Sequence, residues 1–273
     1  MASVIEAFRD LFRGEEKFTT HSTLFAIAGI SGVLQLMSQT YTSQFETLDT
    51  TAMGTSSLMN TIGIVLGFFV ISCLLSIYLQ GFCTVYINRK WRGELGLPEF
   101  NGSMWGVGFK YFVLLLYWGI LFAIAGGLAG LLCIIPVLGV IAMIAALIIL
   151  IPYAFGLNFV QVKFAKEFDF AGLFSPALLF NFGRLTIWSV ILTWLKLVGI
   201  AILMFLILAI IAGIGGVVVS LLGGMAKEFG EVIGAIMGGY IGALLGLIWA
   251  HCMFEIYLDK IDPEMPDDDY DIG

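Results

Sequence analysis

The sequence predicts an all-α integral membrane protein with six transmembrane helices, arranged as three hairpins. Of its 273 residues, 60% are hydrophobic and 12% are charged, whereas a soluble domain carries about 25% charged residues. The 33 glycines are typical of packed membrane helices. Apolar runs long enough to cross a bilayer, about 20 residues, recur along the chain. A soluble globule is excluded because too few polar side chains are present to cover its surface.

The predicted spans belong to one membrane domain, residues 1–258. An acidic tail follows at 259–273, where seven of the 20 acidic residues lie, and we expect it to be disordered in the cytoplasm. The fifth apolar run, 185–222, is longer than one span needs. We expect residues 185–195 to lie along the interface and the helix to cross the membrane after them, which places Lys196 at the membrane boundary. If the crossing helix instead started at Leu185, Lys196 would lie deep in the membrane. The six spans are placed at 22–38, 60–87, 111–132, 137–161, 197–218 and 232–257.

The distribution of basic residues predicts the orientation of the chain. Lysine and arginine are retained on the cytoplasmic side, and 11 of the 13 basic residues fall on one side of the predicted spans. Lys227 lies on the other side, and Lys196 lies in the fifth apolar run. We therefore place both termini in the cytoplasm and the protein in a prokaryotic cell membrane.

Short amphipathic helices are expected at the cytoplasmic interface. In the first of them, Val4, Ile5, Phe8, Leu11 and Phe12 recur at helical spacing. Such a helix lies in the headgroup region with its apolar face inward, although a soluble cap on the bundle fits the pattern equally well. Aromatic-rich stretches with basic residues also precede the third and fifth spans, which suggests a weak threefold repeat.

Three cytoplasmic segments resemble one known family. They are AFRDLF (7–12), GELGLPEFNGSMWGVGFKYF (93–112) and KFAKEFDFAGLFSPALLFNF (163–182). Together they resemble domain-of-unknown-function family 4013, a group of uncharacterised prokaryotic membrane proteins, over most of residues 5–258. The resemblance implies a polytopic membrane protein without an assigned activity, and it brings no catalytic residues.

A glycine zipper in the sixth span predicts a helix-packing face. Gly234, Gly238, Gly242 and Gly246 are spaced four residues apart and therefore share one helix face. Small residues allow backbones to approach closely in lipid. The face can pack inside the monomer, which we favour because a six-span bundle has many faces to bury, or against another subunit.

Polar side chains inside the spans predict a cavity on the cytoplasmic side. All of them fall in the cytoplasmic halves under this topology, and intramembrane polar groups are costly enough to suggest a function. The alternative, which we favour, is that they extend to the interface and satisfy one another. The candidate residues are Gln80, Asn158, Gln161, Lys196, His251 and Glu255.

Catalytic and cofactor signatures are absent from the sequence. It contains no P-loop, H-E-x-x-H or G-x-S-x-G motif, its four cysteines are scattered through apolar runs, and its basic residues do not cluster as nucleic-acid binding requires. We expect no enzyme, cofactor or metal site. The favoured function is a scaffold, assembly or regulatory subunit that contacts membrane lipids and either a protein partner or further copies of itself. The alternative is a transporter or lipid-handling protein with a cavity open to the cytoplasmic leaflet.

Overall fold

The structure, a computed structural model, is helical throughout the part of the chain that it describes. That part comprises residues 4–13, 17–47, 55–132, 136–170, 172–220 and 226–262. It contains seven helices and no strand, which confirms the all-α prediction. The helices are α1 (Val4–Leu11), α2 (Lys17–Thr47), α3 (Thr55–Trp91), α4 (Ser103–Leu132), α5 (Pro136–Glu167), α6 (Pro176–Ser220) and α7 (Ala226–Lys260).

Five of these helices are long and apolar enough to cross a membrane. Side chains such as Leu66, Phe69, Trp188 and Ile202 are more than half exposed, and exposed apolar surface of this extent indicates contact with lipid. The fourth predicted span, 137–161, lies in α5, where many side chains are outside the described set. Six spans and three hairpins therefore remain a prediction. The five candidate spans are Phe18–Thr42, Ile62–Trp91, Ser103–Leu128, Pro176–Ile207 and Gly230–Lys260.

The helix that carries the fifth predicted span does not break where the sequence analysis placed a break. α6 is continuous over 45 residues, and its apolar window, Pro176–Ile207, begins well before residue 197. Residues 184–198 contain no glycine or proline. Extending a helix adds one hydrogen bond per residue without a new nucleation cost, so the segment 185–195 continues the helix instead of forming a separate one.

Among the described residues, α1 is the only separate short helix. The stretch before the third span is irregular from Gly93 to Asn101 and then enters α4 directly, and the stretch before the fifth span passes through a turn at 172–174 into α6. The expected second and third interfacial helices are thus the first turns of longer helices. The acidic tail from residue 263 onward lies outside the described residues.

The described chain divides into two compact units. Unit 1 comprises 1–15, 80–197 and 247–273, and unit 2 comprises 16–79 and 198–246. In unit 1, Tyr111, Leu114, Val160 and Phe164 belong to a buried apolar cluster that α4 and α5 share with the start of α6. Unit 1 therefore contains α1 and the connections from α3 to α4 and from α5 to α6.

Close helix crossings in unit 1 depend on three glycines. A Cβ added at Gly81 would overlap the carbonyl oxygen of Met104, and one at Gly156 would overlap that of Leu179. At Gly183 it would overlap the carbonyl oxygen of Pro152. Because van der Waals packing drives helix association in lipid, these positions fix how near α3 lies to α4, and α5 to α6.

In unit 2, the close approach involves a glycine outside the predicted zipper. A Cβ on Gly239 would overlap the carbonyl oxygen of Ala28, and one on Gly32 would overlap that of Ala235. The four glycines of the predicted zipper make no such close contact in the described part of the chain. No described atom lies within 4 Å of a Cβ built at Gly234, Gly238, Gly242 or Gly246. The interior packing that we favoured for this face is therefore not observed in the described part of the chain.

Candidate functional site

A buried ion pair joins α1 to the end of α3. The Asp10 carboxylate and the Lys90 ammonium approach within 2.6 Å, and their side chains are only 5% and 8% exposed. Asp10 lies on the face of α1 that also buries Val4, Ala7 and Leu11. Taking two charges out of water is costly unless they compensate each other, so this pair fixes the position of α1 within unit 1.

Three further side chains extend the pair into a network. Tyr86 donates its hydroxyl hydrogen to Asp10 Oδ2 at 2.9 Å, and its oxygen lies 2.9 Å from His251 Nδ1. On the far side of the imidazole, Nε2 lies 3.1 Å from Glu255 Oε1. His251 and Glu255 are four residues apart on α7. We call Asp10, Tyr86, Lys90, His251 and Glu255 the α1 network.

The hydrogen-bond directions determine how many protons the α1 network holds. Tyr86 has one hydroxyl hydrogen, which it gives to Asp10, so His251 must donate through Nδ1 to the Tyr86 oxygen. The contact between Nε2 and Glu255 then needs one more proton, carried by one of those two atoms. In either arrangement the five side chains sum to zero net charge, which is the condition under which ionised groups tolerate burial.

The pKa of Asp10 reflects these contacts. Burial by itself raises the pKa of this carboxyl, but the hydrogen bond and charge of Lys90, helped by Tyr86 and His251, hold it below its ordinary value. A carboxyl whose pKa is lower in the folded state stabilises the fold above its unfolded pKa, about 3.9. That stability is lost as the pH falls through the folded value.

Acid should therefore detach α1. We expect the thermal unfolding temperature of the solubilised protein to fall as the pH is lowered below the unfolded pKa of about 3.9 and Asp10 takes up a proton. The Asp10→Asn variant isolates the Asp10 contribution. Parallel pH profiles for the wild type and this variant would contradict the assignment.

A cavity of about 420 Å³ lies against the α1 network in unit 1, within the size range of small-ligand pockets. Arg9 and Arg13 lie along it, together with Asp10 and Glu255. One oxygen of Asp10, Oδ1, is buried without a hydrogen-bond partner. A buried acceptor that lacks a donor is costly.

The six residues predicted to line a cytoplasmic cavity lie in different places. Of these, His251 and Glu255 line the cavity beside the α1 network. Gln80 and Gln161 form an amide cluster with Thr84: Gln161 Nε2 donates to Gln80 Oε1 at 3.3 Å and to Thr84 Oγ1 at 3.1 Å. These three side chains thus bond to one another.

Asn158 and Lys196 lie away from the α1 network. Asn158 contributes to an apolar groove of about 490 Å³ with Trp194 and Trp249, and its amide nitrogen donates to the carbonyl of Phe155 at 3.0 Å. Lys196 is exposed on α6, within the candidate span Pro176–Ile207. The choice between a deep and a boundary position for Lys196 stays open.

Sequence reasoning missed Asp10, Tyr86 and Lys90. The predicted stripe on α1 mixed buried with exposed side chains: Val4 and Leu11 are buried, whereas Ile5, Phe8 and Phe12 are 78%, 40% and 39% exposed. The available signal was that Val4, Ala7 and Leu11 have helical spacing and that Asp10 borders them.

The fold and the site define an all-helical protein with several helices able to cross a membrane and a polar network beneath its first helix. No group of three His, Cys, Asp or Glu side chains in the described ranges could hold a metal ion. No protein-family model, curated protein or solved structure matches the chain. The resemblance to domain-of-unknown-function family 4013 therefore stays a prediction.

Proposed function

We propose that this protein is a non-enzymatic, multi-pass membrane protein that works as a scaffold, assembly or regulatory subunit. The observation that carries the proposal is the open glycine face of α7. Gly234, Gly242 and Gly246 are exposed, and space beside all four zipper glycines is free of described atoms. A smooth face of this kind accepts a helix of another chain.

The pairing of polar groups within unit 1 also supports this role. The α1 network and the Gln80–Thr84–Gln161 cluster each consist of side chains that bond to one another. A conduction pathway needs polar groups that are free to exchange partners with a substrate. Mutually bonded groups instead fix helices in place, as a scaffold requires.

We further propose that both termini lie in the cytoplasm of a prokaryotic cell. Unit 1 contains α1, the connections 92–102 and 168–175, and the end of α7. These are the segments rich in lysine and arginine, which the bilayer retains on the cytoplasmic side. Labelling of single cysteines placed at positions 2 and 50, in intact cells, tests this orientation.

Native mass spectrometry of the gently solubilised protein tests the scaffold role. We expect a second protein or a second copy in fixed ratio, and we expect Gly238→Leu to abolish its retention because the side chain fills the open face. Gly63→Leu is the matched control, since Gly63 also faces open space but lies outside the zipper. A monomer in both cases would contradict the proposal.

A second function, lipid handling or transport, is favoured by the cavity beside the α1 network. Variants separate the two functions. Under the scaffold proposal, partner retention is intact in the variants Lys196→Ala, His251→Ala and Glu255→Ala. Gly238→Leu removes partner retention. Under lipid handling, His251→Ala and Glu255→Ala impair the function and Gly238→Leu does not.

A further inference from the structure

An apolar groove of about 490 Å³ in unit 1 is lined by residues of α5, α6 and α7. We call it the tryptophan groove, because Trp194 and Trp249 line it. Its outer side is open, since Ala154, Trp194 and Leu195 are exposed. Its volume lies within the range of small-ligand sites. The groove is therefore large enough and open enough to take a ligand from the surroundings of the protein.

The lining of the tryptophan groove offers mainly hydrocarbon to a ligand. Among the described side chains that line it, Asn158 alone is not hydrophobic. Its amide nitrogen donates to the carbonyl oxygens of Phe155 at 3.0 Å and of Ala154 at 3.4 Å, so the amide donors turn back to α5. Such a lining gains free energy by covering apolar surface, whereas burying a polar group there is costly. The groove therefore fits a hydrocarbon chain.

The surroundings of the tryptophan groove indicate where such a chain comes from. The lining residues on α6 belong to the candidate span Pro176–Ile207. Leu185, Trp188 and Leu192, on the same stretch of α6, are 54%, 74% and 45% exposed. Apolar side chains exposed in this way indicate contact with lipid. The acyl chains of bilayer lipids are thus the hydrocarbon that reaches the groove.

A positive charge lies two helical turns from the tryptophan groove. Arg184 is exposed and precedes Ile191, which lines the groove, by seven residues, so the two share one face of α6. α6 contains no acidic residue, so its own charges attract an anion. An arginine at the boundary of an apolar segment meets lipid phosphates, to which its guanidinium donates paired N–H bonds. Arg184 therefore complements the charge of a phospholipid headgroup.

The spacing along α6 matches one leaflet of a bilayer. Leu195, the last lining residue on α6, lies eleven residues beyond Arg184, which is about 16 Å along a helix. Half of the hydrocarbon core of a bilayer is about 15 Å thick. A lipid whose phosphate lies at Arg184 therefore has acyl chains that reach the end of the tryptophan groove. Lys196 then lies deep in the membrane, one of the two positions left open for it.

We propose that the tryptophan groove binds one acyl chain of a phospholipid whose phosphate contacts Arg184. The lipid belongs to the cytoplasmic leaflet under the proposed orientation. The site goes beyond the scaffold role and does not depend on it. A lipid bound in this way covers apolar surface that α5, α6 and α7 leave open.

Lipid titrations followed by native mass spectrometry test the site in the full-length protein. The probes are dioleoyl phosphatidylglycerol, dioleoylglycerol, which has the same chains without the phosphate, and glycerol phosphate, which has the phosphate without the chains. We expect one phosphatidylglycerol to bind and dioleoylglycerol to bind about tenfold more weakly. Glycerol phosphate should not displace the lipid. These comparisons use the wild type, so no folding defect affects them.

Two variants with matched controls locate the two ends of the lipid. Arg184→Gln should weaken phosphatidylglycerol binding by about tenfold, whereas Lys196→Gln, at the other basic residue of α6, should leave it unchanged. Ala154→Leu should weaken it to a similar extent, because the larger side chain fills the groove. Ala145→Leu is the control for this change, since Ala145 is an exposed alanine of α5 that does not line the groove.

Each contrary outcome overturns a definite part of the proposal. Equal binding of phosphatidylglycerol and dioleoylglycerol removes the phosphate contact. Loss of binding in Lys196→Gln instead of Arg184→Gln means that the headgroup lies at the other end of the groove. Unchanged binding in Ala154→Leu means that the acyl chain lies outside the groove, and displacement by glycerol phosphate overturns the lipid as the ligand. Partner retention is recorded in the same spectra, so failure of the lipid site is distinguished from failure of the scaffold role.

Discussion

Replacing Lys90 with methionine is expected to destabilise the protein by about 3–5 kcal/mol, because the Asp10 carboxylate would remain buried without its counter-ion. Methionine retains most of the length of the lysine side chain and removes the charge. The measurement is chemical unfolding in detergent, followed by tryptophan fluorescence. A faster trypsin cleavage after Arg9 and Arg13 should accompany the loss of stability, since α1 would detach first.

An exposed ion pair supplies the control. Lys260 contacts Asp259 at 3.1 Å with side chains 46% and 55% exposed, and Lys260→Met should cost less than about 1 kcal/mol. The double variant Asp10→Asn/Lys90→Met should recover part of the lost stability, because no charge is then left unpaired. Equal effects of Lys90→Met and Lys260→Met would show that the buried pair does not hold α1.

Gly183→Ala is expected to lower the free energy of unfolding by about 1–3 kcal/mol, the usual cost of overpacking. The added Cβ would overlap the backbone carbonyl of Pro152, and a backbone atom cannot move aside as a flexible side chain can. α5 and α6 must therefore separate, and the neighbouring contact between Gly156 and Leu179 is lost with them. Unfolding in detergent measures the change.

Gly199→Ala, on the same helix, is the matched control. No described atom lies within 4 Å of a Cβ at Gly199, so this substitution adds only the helix preference of alanine, up to about 1 kcal/mol in favour of folding. Opposite signs for the two variants are expected. A stabilising effect at Gly183 would mean that α5 and α6 are not in close contact there.

The α1 network illustrates why the sequence revealed only half of the site. His251 and Glu255 were recognised because a polar group in an apolar run is conspicuous. Asp10 lies 76 residues from Tyr86 and 241 residues from His251, and the apolar stripe predicted on its own helix mixed buried with exposed side chains. Which side of α1 is buried depends on the helices that α1 meets, and periodicity within eight residues carries no information about them.

The glycines illustrate the same limit. Four-residue spacing predicted a packing face at Gly234, Gly238, Gly242 and Gly246, yet the close approach to α2 lies at Gly239, one residue beyond Gly238. A rotation of about 100° separates adjacent residues on a helix. The crossing geometry with α2 therefore decided which glycine is needed inside the chain and which face stays open.

The sequence by itself determined the helical class and the membrane-compatible apolar segments, because composition and run length act locally and need no partner. Only the tertiary structure decided the pairing of Asp10 with Lys90 and the cavity lined by Arg9 and Arg13. Each of these depends on side chains that are distant in the chain and adjacent in space. Their energies come from burial and charge compensation, which arise only when the helices pack.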